Sequence, residues 1–446
     1  MTRVLLIGSD RHFAEACVAR DLEVVAVRNA GAIHNGVLTF PDEVRQIPVA
    51  DQTNTEAVVS GLAHAGLSLR DFNGIYTNYE HAVVMTASLA QAAEVPTPGT
   101  DVAVVMRDKY LQKQRLTQEG VPVARSQVFW APPIPADVSD LRYPLVLKPV
   151  AGVGTEATVR VDDHKAFQSA VDLFFPAGTP HKGLQVEEFV DGEEFCLDGW
   201  VHNGSIGFSS VGRYVRPCLE AVEAGTSLRV HRCTETTHPG IAGEADRLAT
   251  DALAALGLRN GTFHMEFFRL PDGQLVFSEC AARRGGAFME EEVRVSRSVS
   301  LAAASVDLCL GTQPRVTPRK PDREVGSVHP KLPFGVVLEL PRAEDLMALN
   351  GVEYVRFYTY LGATYAGPSS SLYQPAAAML VSASTASDLD TRLDQVERAF
   401  VQGAKVSPST SPRQMRVFQS EMLGRDDLRY QPFVAGPEHN KDKGSS

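Results

Sequence analysis

Two glutamates carry the strongest chemical signal in this 446-residue chain: Glu266 in GTFHMEFFRL and Glu279 in QLVFSEC, on strand-like segments that turn at Pro271-Asp272-Gly273. If the register sets them on one face, two carboxylates lie side by side among bulky apolar neighbours. A buried carboxylate without a partner is expensive, so this pair calls for a cation. Oxygen-only ligands suit magnesium, with manganese as the alternative. Arg283, Arg284 and Gly285-Gly286 follow closely and put positive charge where a transferred phosphoryl group would be met.

Two earlier segments complete the pattern. Val146-Leu147-Lys148-Pro149 ends a strand, and the small loop VAGVGT over 150–155 follows. Glycines such as Gly152 and Gly154 let backbone amides approach phosphate oxygens, while a strand-borne lysine fixes a positive charge. Taken alone, this reads equally well as a hairpin with a surface lysine. The stretch QVEEFVDGEEF over 185–195 then offers a strand with Glu187 and Glu188, a turn at Asp191-Gly192, and Glu194 beyond it. Its main chain could read an adenine edge, and a carboxylate past the turn could accept both ribose hydroxyls. A solvated acidic hairpin is the bland alternative for this piece.

Other reactive residues read more plainly. The six cysteines form no CxxC pair, which argues against zinc and against a disulfide framework. Cys280 neighbours Glu279 but alternates with it on a strand, so it should face the opposite side. His264, two residues before Glu266, fits a supporting role better than metal ligation. His81, after Asn78-Tyr79-Glu80, lies where a first domain could face an acceptor pocket. Arg213 and Glu223 follow the acidic strands and are candidate substrate contacts.

These residues need strands, turns and a covering loop, and the periodicity supplies them. Over 3–99, short apolar runs alternate with helical patterns near Phe13–Arg20, Glu56–Ala65 and Ala82–Ala93, which predicts a parallel sheet with helices on its faces. The first turn, GSDRHF, lacks GxGxxG spacing, so a nicotinamide cofactor is not supported. VPTPG at 95–99 marks a boundary, and a helix is predicted from about Val102 to Glu119. Connections are expected at 131–135 and 176–183, and helices over Gly240–Leu256 and Phe288–Leu310. Residues 314–323 read as a linker to a last α+β lobe at 324–402, with a loose polar tail over 403–446.

Composition bounds the function. With 44% hydrophobic and 22% charged residues the chain is an ordinary globular protein, and its length suggests about three folding units. A net charge of -11 gives no long-range attraction to nucleic acid or anionic lipid. The start, MTRVLLIG, is too short for a signal peptide, and no stretch approaches the roughly 20 apolar residues of a membrane span. A cytoplasmic protein is expected, and a homodimer is left open.

The order of these elements resembles the ATP-grasp superfamily, which includes biotin carboxylase, D-alanine ligase and the L-amino-acid ligases, over roughly residues 3 to 310. The resemblance implies an N-terminal parallel α/β pre-ATP-grasp domain (1–99), a central ATP-grasp domain (100–313) and a C-terminal α+β lobe. Lys109 and Lys148 then resemble the two nucleotide lysines, and Gly152, Gly154 and Thr155 the phosphate-covering loop. Glu187, Glu188 and Val190 match the adenine strand and Glu194 the ribose ligand. Glu266 and Glu279 match the magnesium glutamates, and Arg283 the arginine that steadies the phosphoryl group. One departure stands out: the family's ExNxR is Glu279-Cys280-Ala281-Ala282-Arg283 here, and Ala281 offers no ligand. The implied activity is ligation of a small carboxylate to an amine, both small molecules, through an acyl phosphate. Biotin carboxylase-like or purine-pathway chemistry is the alternative, and a nucleotide-binding protein without turnover is the rival that Ala281 alone supports.

Overall fold

The computed structural model describes residues 2–34, 39–175, 183–365, 375–408 and 434–435. Its first sheet is parallel, in the order Arg45–Val49, Glu23–Asn29, Arg3–Ile7, Gly74–Tyr76. Val4–Ile7 and Val24–Val27 are at most 1% exposed, because helices cover both faces and demand continuous apolar runs. Asp10 and Asn54 cap the helices Arg11–Val18 and Thr55–His64 by accepting from the amides of Phe13 and Ala57.

The helix expected over 102–119 is two helices, Thr100–Arg107 and Lys109–Gln118. Asp108 is extended and caps the second through the Leu111 amide, a competition between side chain and helix that apolar spacing does not reveal. The break matters, because it puts Lys109 at a helix start. Similarly, the span 288–310 is Met289–Arg297 and Leu301–Cys309, separated at left-handed Ser298 and capped by Ser300.

Two sheets form the central part. The smaller is four-stranded and antiparallel, in the order Ser126–Phe129, Leu184–Glu188, Leu145–Pro149, Val159–Val161. The larger has nine strands and begins with Leu275–Ala281, Gly261–Arg269, Glu193–His202, Ser205–Tyr214 and Leu228–Arg232. The two acidic strands around Asp191-Gly192 are therefore not a hairpin. Leu184–Glu188 belongs to the small sheet and Glu193–His202 to the large one, so residues 189–192 cross between them. The Phe189 amide bonds the Pro144 carbonyl at 2.9 Å, and a Cβ at Gly192 would lie 2.8 Å from the Arg269 carbonyl oxygen. Glycine is required there by close approach.

The last lobe continues the same large sheet. Glu324–His329 pairs antiparallel with Leu228–Arg232, and Ala377–Ala383 and Val352–Phe357 extend it outward. Part of the expected tail is also structured: Lys405–Pro408 pairs with Gly335–Glu339, and Val434–Ala435 pairs with Val352–Phe357. Edge pairing holds these short strands, which composition alone marks only as polar. The rest of the expected tail, and residues 176–182 of the expected connection, lie outside the described residues. Among the described residues no helix is long and apolar enough to cross a membrane.

Candidate functional site

The hairpin Gly261–Arg269 and Leu275–Ala281 pairs Glu266 directly opposite Glu279, so both carboxylates share one face. That face forms the floor of a cavity of about 360 Å³ between the two sheets. Lys109 reaches it from its helix start, with Nζ 2.7 Å from Glu279 Oε2 and 3.2 Å from the Gly152 carbonyl. One lysine thus touches both Glu279 and the small loop. Gly154 and Thr155 are both left-handed, at φ 56° and 62°, and with Gly152 they line the cavity. A left-handed threonine is a strained choice, which fits a loop shaped for a ligand.

Lys148 is 7% exposed, with Nζ 2.6 Å from Glu187 Oε1. The other Glu187 oxygen holds Lys113, a residue that the sequence reading missed. Its signal was present, because Lys109 and Lys113 are four apart on one helix and share a face. The Glu187 side chain therefore braces two lysines, whereas Glu188 alternates to the other side and accepts from the Arg142 amide at 3.1 Å. Both residues and Val190 line the cavity at the crossing between the sheets.

The electrostatics are uneven. Burial and the nearby Glu266 push the Glu194 carboxyl up to about 8, against stabilising bonds from Cys218, whose amide lies at 2.6 Å. Burial also opposes ionisation of Glu279, but Lys109 and Lys148 outweigh it and hold that carboxyl down at about 2. Glu266 accepts from the Tyr214 hydroxyl at 3.0 Å, and His264 Nε2 lies 3.5 Å away. The His264 ring is held by Asp198 at 2.8 Å, so it supports Glu266 from beside the floor. Ligand atoms of Glu194, Cys218 and Glu266 lie within 4.8 Å of one another. Crowded carboxylates with hard oxygen donors fit a divalent cation such as magnesium, and Glu266 and Glu279 are the residues that would hold it. Ala281 adds no side-chain donor.

Arg283 is seated by the first domain. Its Nε donates to Glu80, which is 8% exposed and lies 3.7 Å from Arg107 Nε, and its Nη1 donates to the Arg284 carbonyl at 2.7 Å. Asn78 accepts from the Arg284 amide at 3.0 Å. Sequence reasoning missed Glu80 as the partner of Arg283 and Asn78 as the acceptor of the Arg284 amide. Their place just past the C-terminal end of the parallel strand Gly74–Tyr76 was the available clue. His81 is 3.4 Å from Arg107 at the same corner.

Some expected contacts are not brought together. Arg213 pairs with Glu193 at 3.1 Å, Glu223 is exposed, and neither lines the cavity, because Arg213 sits opposite Phe195 on paired strands and is drawn to the neighbouring acid. Cys280 is 2% exposed in the core behind the floor, its amide bonded to Gln112, and burial pushes its thiol well up.

Comparison with known proteins agrees with this geometry. Residues 141–292 match the ATP-grasp domain. An L-arginine-specific L-amino acid ligase of Bacillus subtilis is 24% identical over 361 residues, covering 79% of this chain and 86% of its own. The crystal structure of an L-amino acid ligase from Bacillus licheniformis superposes with a TM-score of 0.73 at 22% identity, covering 92% of this chain and 99% of that one. A biotin carboxylase from Campylobacter jejuni gives 0.67 at 13% identity, covering 96% of each chain. Residues 141–292 thus match an ATP-grasp domain within a chain that has the ATP-grasp fold.

Proposed function

We propose that this protein is an ATP-dependent carbon–nitrogen ligase that joins a carboxylate to an amine, an amino acid in at least one role, through an acyl phosphate. One observation carries the reading: the opposed pair Glu266 and Glu279, Lys109, Lys148 and Arg283 all line a single cavity. Bound magnesium would supply charge shielding at the terminal phosphates. Lys148 and Lys109 bind phosphate oxygens, the loop 152–155 covers them and excludes water, and Glu194 takes the ribose hydroxyls. The main chain at 188–190 faces the adenine.

A carboxylate oxygen of the acid forms a bond to the terminal phosphorus as the bond to the ADP oxygen breaks. Arg283, held by Glu80, meets the charge that develops there. The amine nitrogen then bonds the acyl carbon, phosphate leaves with its electron pair, and the amine gives up a proton. A covalent enzyme intermediate is disfavoured, because burial raises the Cys218 and Cys280 thiols well above their ordinary range. An ATP-consuming ligase with six free cysteines fits the cytoplasm.

A phosphate-release screen over pairs of amino acids and small carboxylic acids, with mass analysis of products, tests this. An amide formed in step with ADP and phosphate is the expected result. Carboxylation of an acceptor with bicarbonate as the acid, with no amide from any pair, would instead establish the carboxylase-like chemistry.

A further inference from the structure

Moving along the cavity from Glu266, the lining changes character. Tyr214 touches Glu266 with its hydroxyl and packs its ring into a buried cluster with Cys218, Leu228 and Met289. Leu228 and Met289 line the cavity, and His329 and Tyr358 of the last lobe line it with them. We infer that the acid activated here carries an uncharged, apolar side chain seated on Leu228, Met289, His329 and Tyr358. This deepens the ligase reading above and rests on it.

Charges behind this wall are already matched among the described residues. Arg232 lies 2.9 Å from Asp198 and 2.7 Å from Glu292, and Arg356 lies 2.7 Å from Glu291. His329 is 3% exposed, with Nε2 at 2.9 Å from the Ser327 hydroxyl and its ring facing Phe288 at 6.0 Å. Burial lowers its pKa to about 4, so the ring presents a neutral surface near pH 7. Glu220 also lines the cavity, but it is exposed, where water and salt screen its charge. Glu80, Arg107 and Arg283 are linked to one another at the corner occupied by the first domain.

A cationic or anionic side chain pressed on this wall would lose its hydration, and the charges beside the wall among the described residues, Arg232 at 2.6 Å from Met289 Sδ and Arg356 bonded to Tyr358, already have carboxylate partners. An apolar one would displace water from leucine, methionine and tyrosine surface and gain by burial. This separates the chain from the relative named for arginine, which is 24% identical to it.

The test measures direct binding by calorimetry, with the protein, magnesium and a non-hydrolysable ATP analogue, of leucine, methionine and phenylalanine against arginine, lysine and glutamate. Phosphate release is recorded in parallel with ATP and an amine. Apolar amino acids should bind at least tenfold more tightly than charged ones. Tyr358→Glu, at a half-exposed position, and Met289→Glu should each weaken leucine binding at least tenfold and improve arginine binding. Arginine or glutamate binding as tightly as leucine, or no amino acid binding at all, overturns the inference. Leucine binding without any phosphate release supports the pocket assignment and counts against the ligase reading instead.

Discussion

Two clusters of buried charge lie close together in this molecule and are built in opposite ways. Behind the cavity, Glu290, Glu291 and Glu292 are each at most 3% exposed and each is paired with arginine: Glu290 with Arg284 and Arg294, Glu291 with Arg356, and Glu292 with Arg232, which it shares with Asp198. Those pairs tie distant segments together, since Arg284 also reaches Asp10 and Arg356 lies on the strand Val352–Phe357. On the cavity floor the matching is incomplete. Glu194 and Glu266 pair with no lysine or arginine among the described residues, and the Glu194 carboxyl is pushed up to about 8. The acids behind the cavity each face an arginine, whereas on the floor Glu194 and Glu266 crowd each other without one.

Substitutions on each side should therefore fail differently. Glu266→Gln and Glu279→Gln should each lower turnover by about a thousandfold or more while thermal unfolding changes little, since each removes charge from the metal site. Retention of near-normal phosphate release in either variant would remove that assignment. Arg232→Ala should act through stability, costing about 3–5 kcal/mol in denaturant unfolding, because it strands Asp198 and Glu292 in the interior. Turnover per folded molecule should fall far less than in the glutamate variants.

Smaller effects sharpen the contrast. Lys148→Ala should weaken nucleotide binding by about ten- to a hundredfold, against no change for exposed Lys165→Ala. Equal affinity in both would sink the phosphate-loop assignment. The smallest effect is on pH dependence. Burial raises the Asp198 pKa, but His264 and Arg232 outweigh it and lower it from 3.8 to about 2. Its contribution is therefore complete above pH 3.8 and is lost as pH falls from there through 2. Unfolding curves should show that step, and Asp198→Asn should lack it.

How much of this was legible beforehand follows from how local each signal was. The floor was readable, because Glu266, Glu279 and the turn between them form one hairpin whose alternation fixes the facing side. So was the lysine-and-glycine segment at 148–155. The sequence shows a turn at Asp191-Gly192 between two strands, and nothing in DG spacing says that those strands belong to different sheets. Lys113 was overlooked because its partner Glu187 is 74 residues away. Glu80 and Arg283 are 203 apart and meet only in the folded chain. Arg213 and Glu223 were placed by proximity in sequence to the acidic strands, and a neighbouring acid and open solvent claimed them instead.

The central claim is that acid and terminal phosphoryl group meet directly on this floor, and isotope transfer reports on it most directly. Acid labelled with heavy oxygen in its carboxylate should pass one label to inorganic phosphate for each amide formed, with ADP as the nucleotide product. Unlabelled phosphate, or AMP and pyrophosphate in place of ADP and phosphate, would contradict the account.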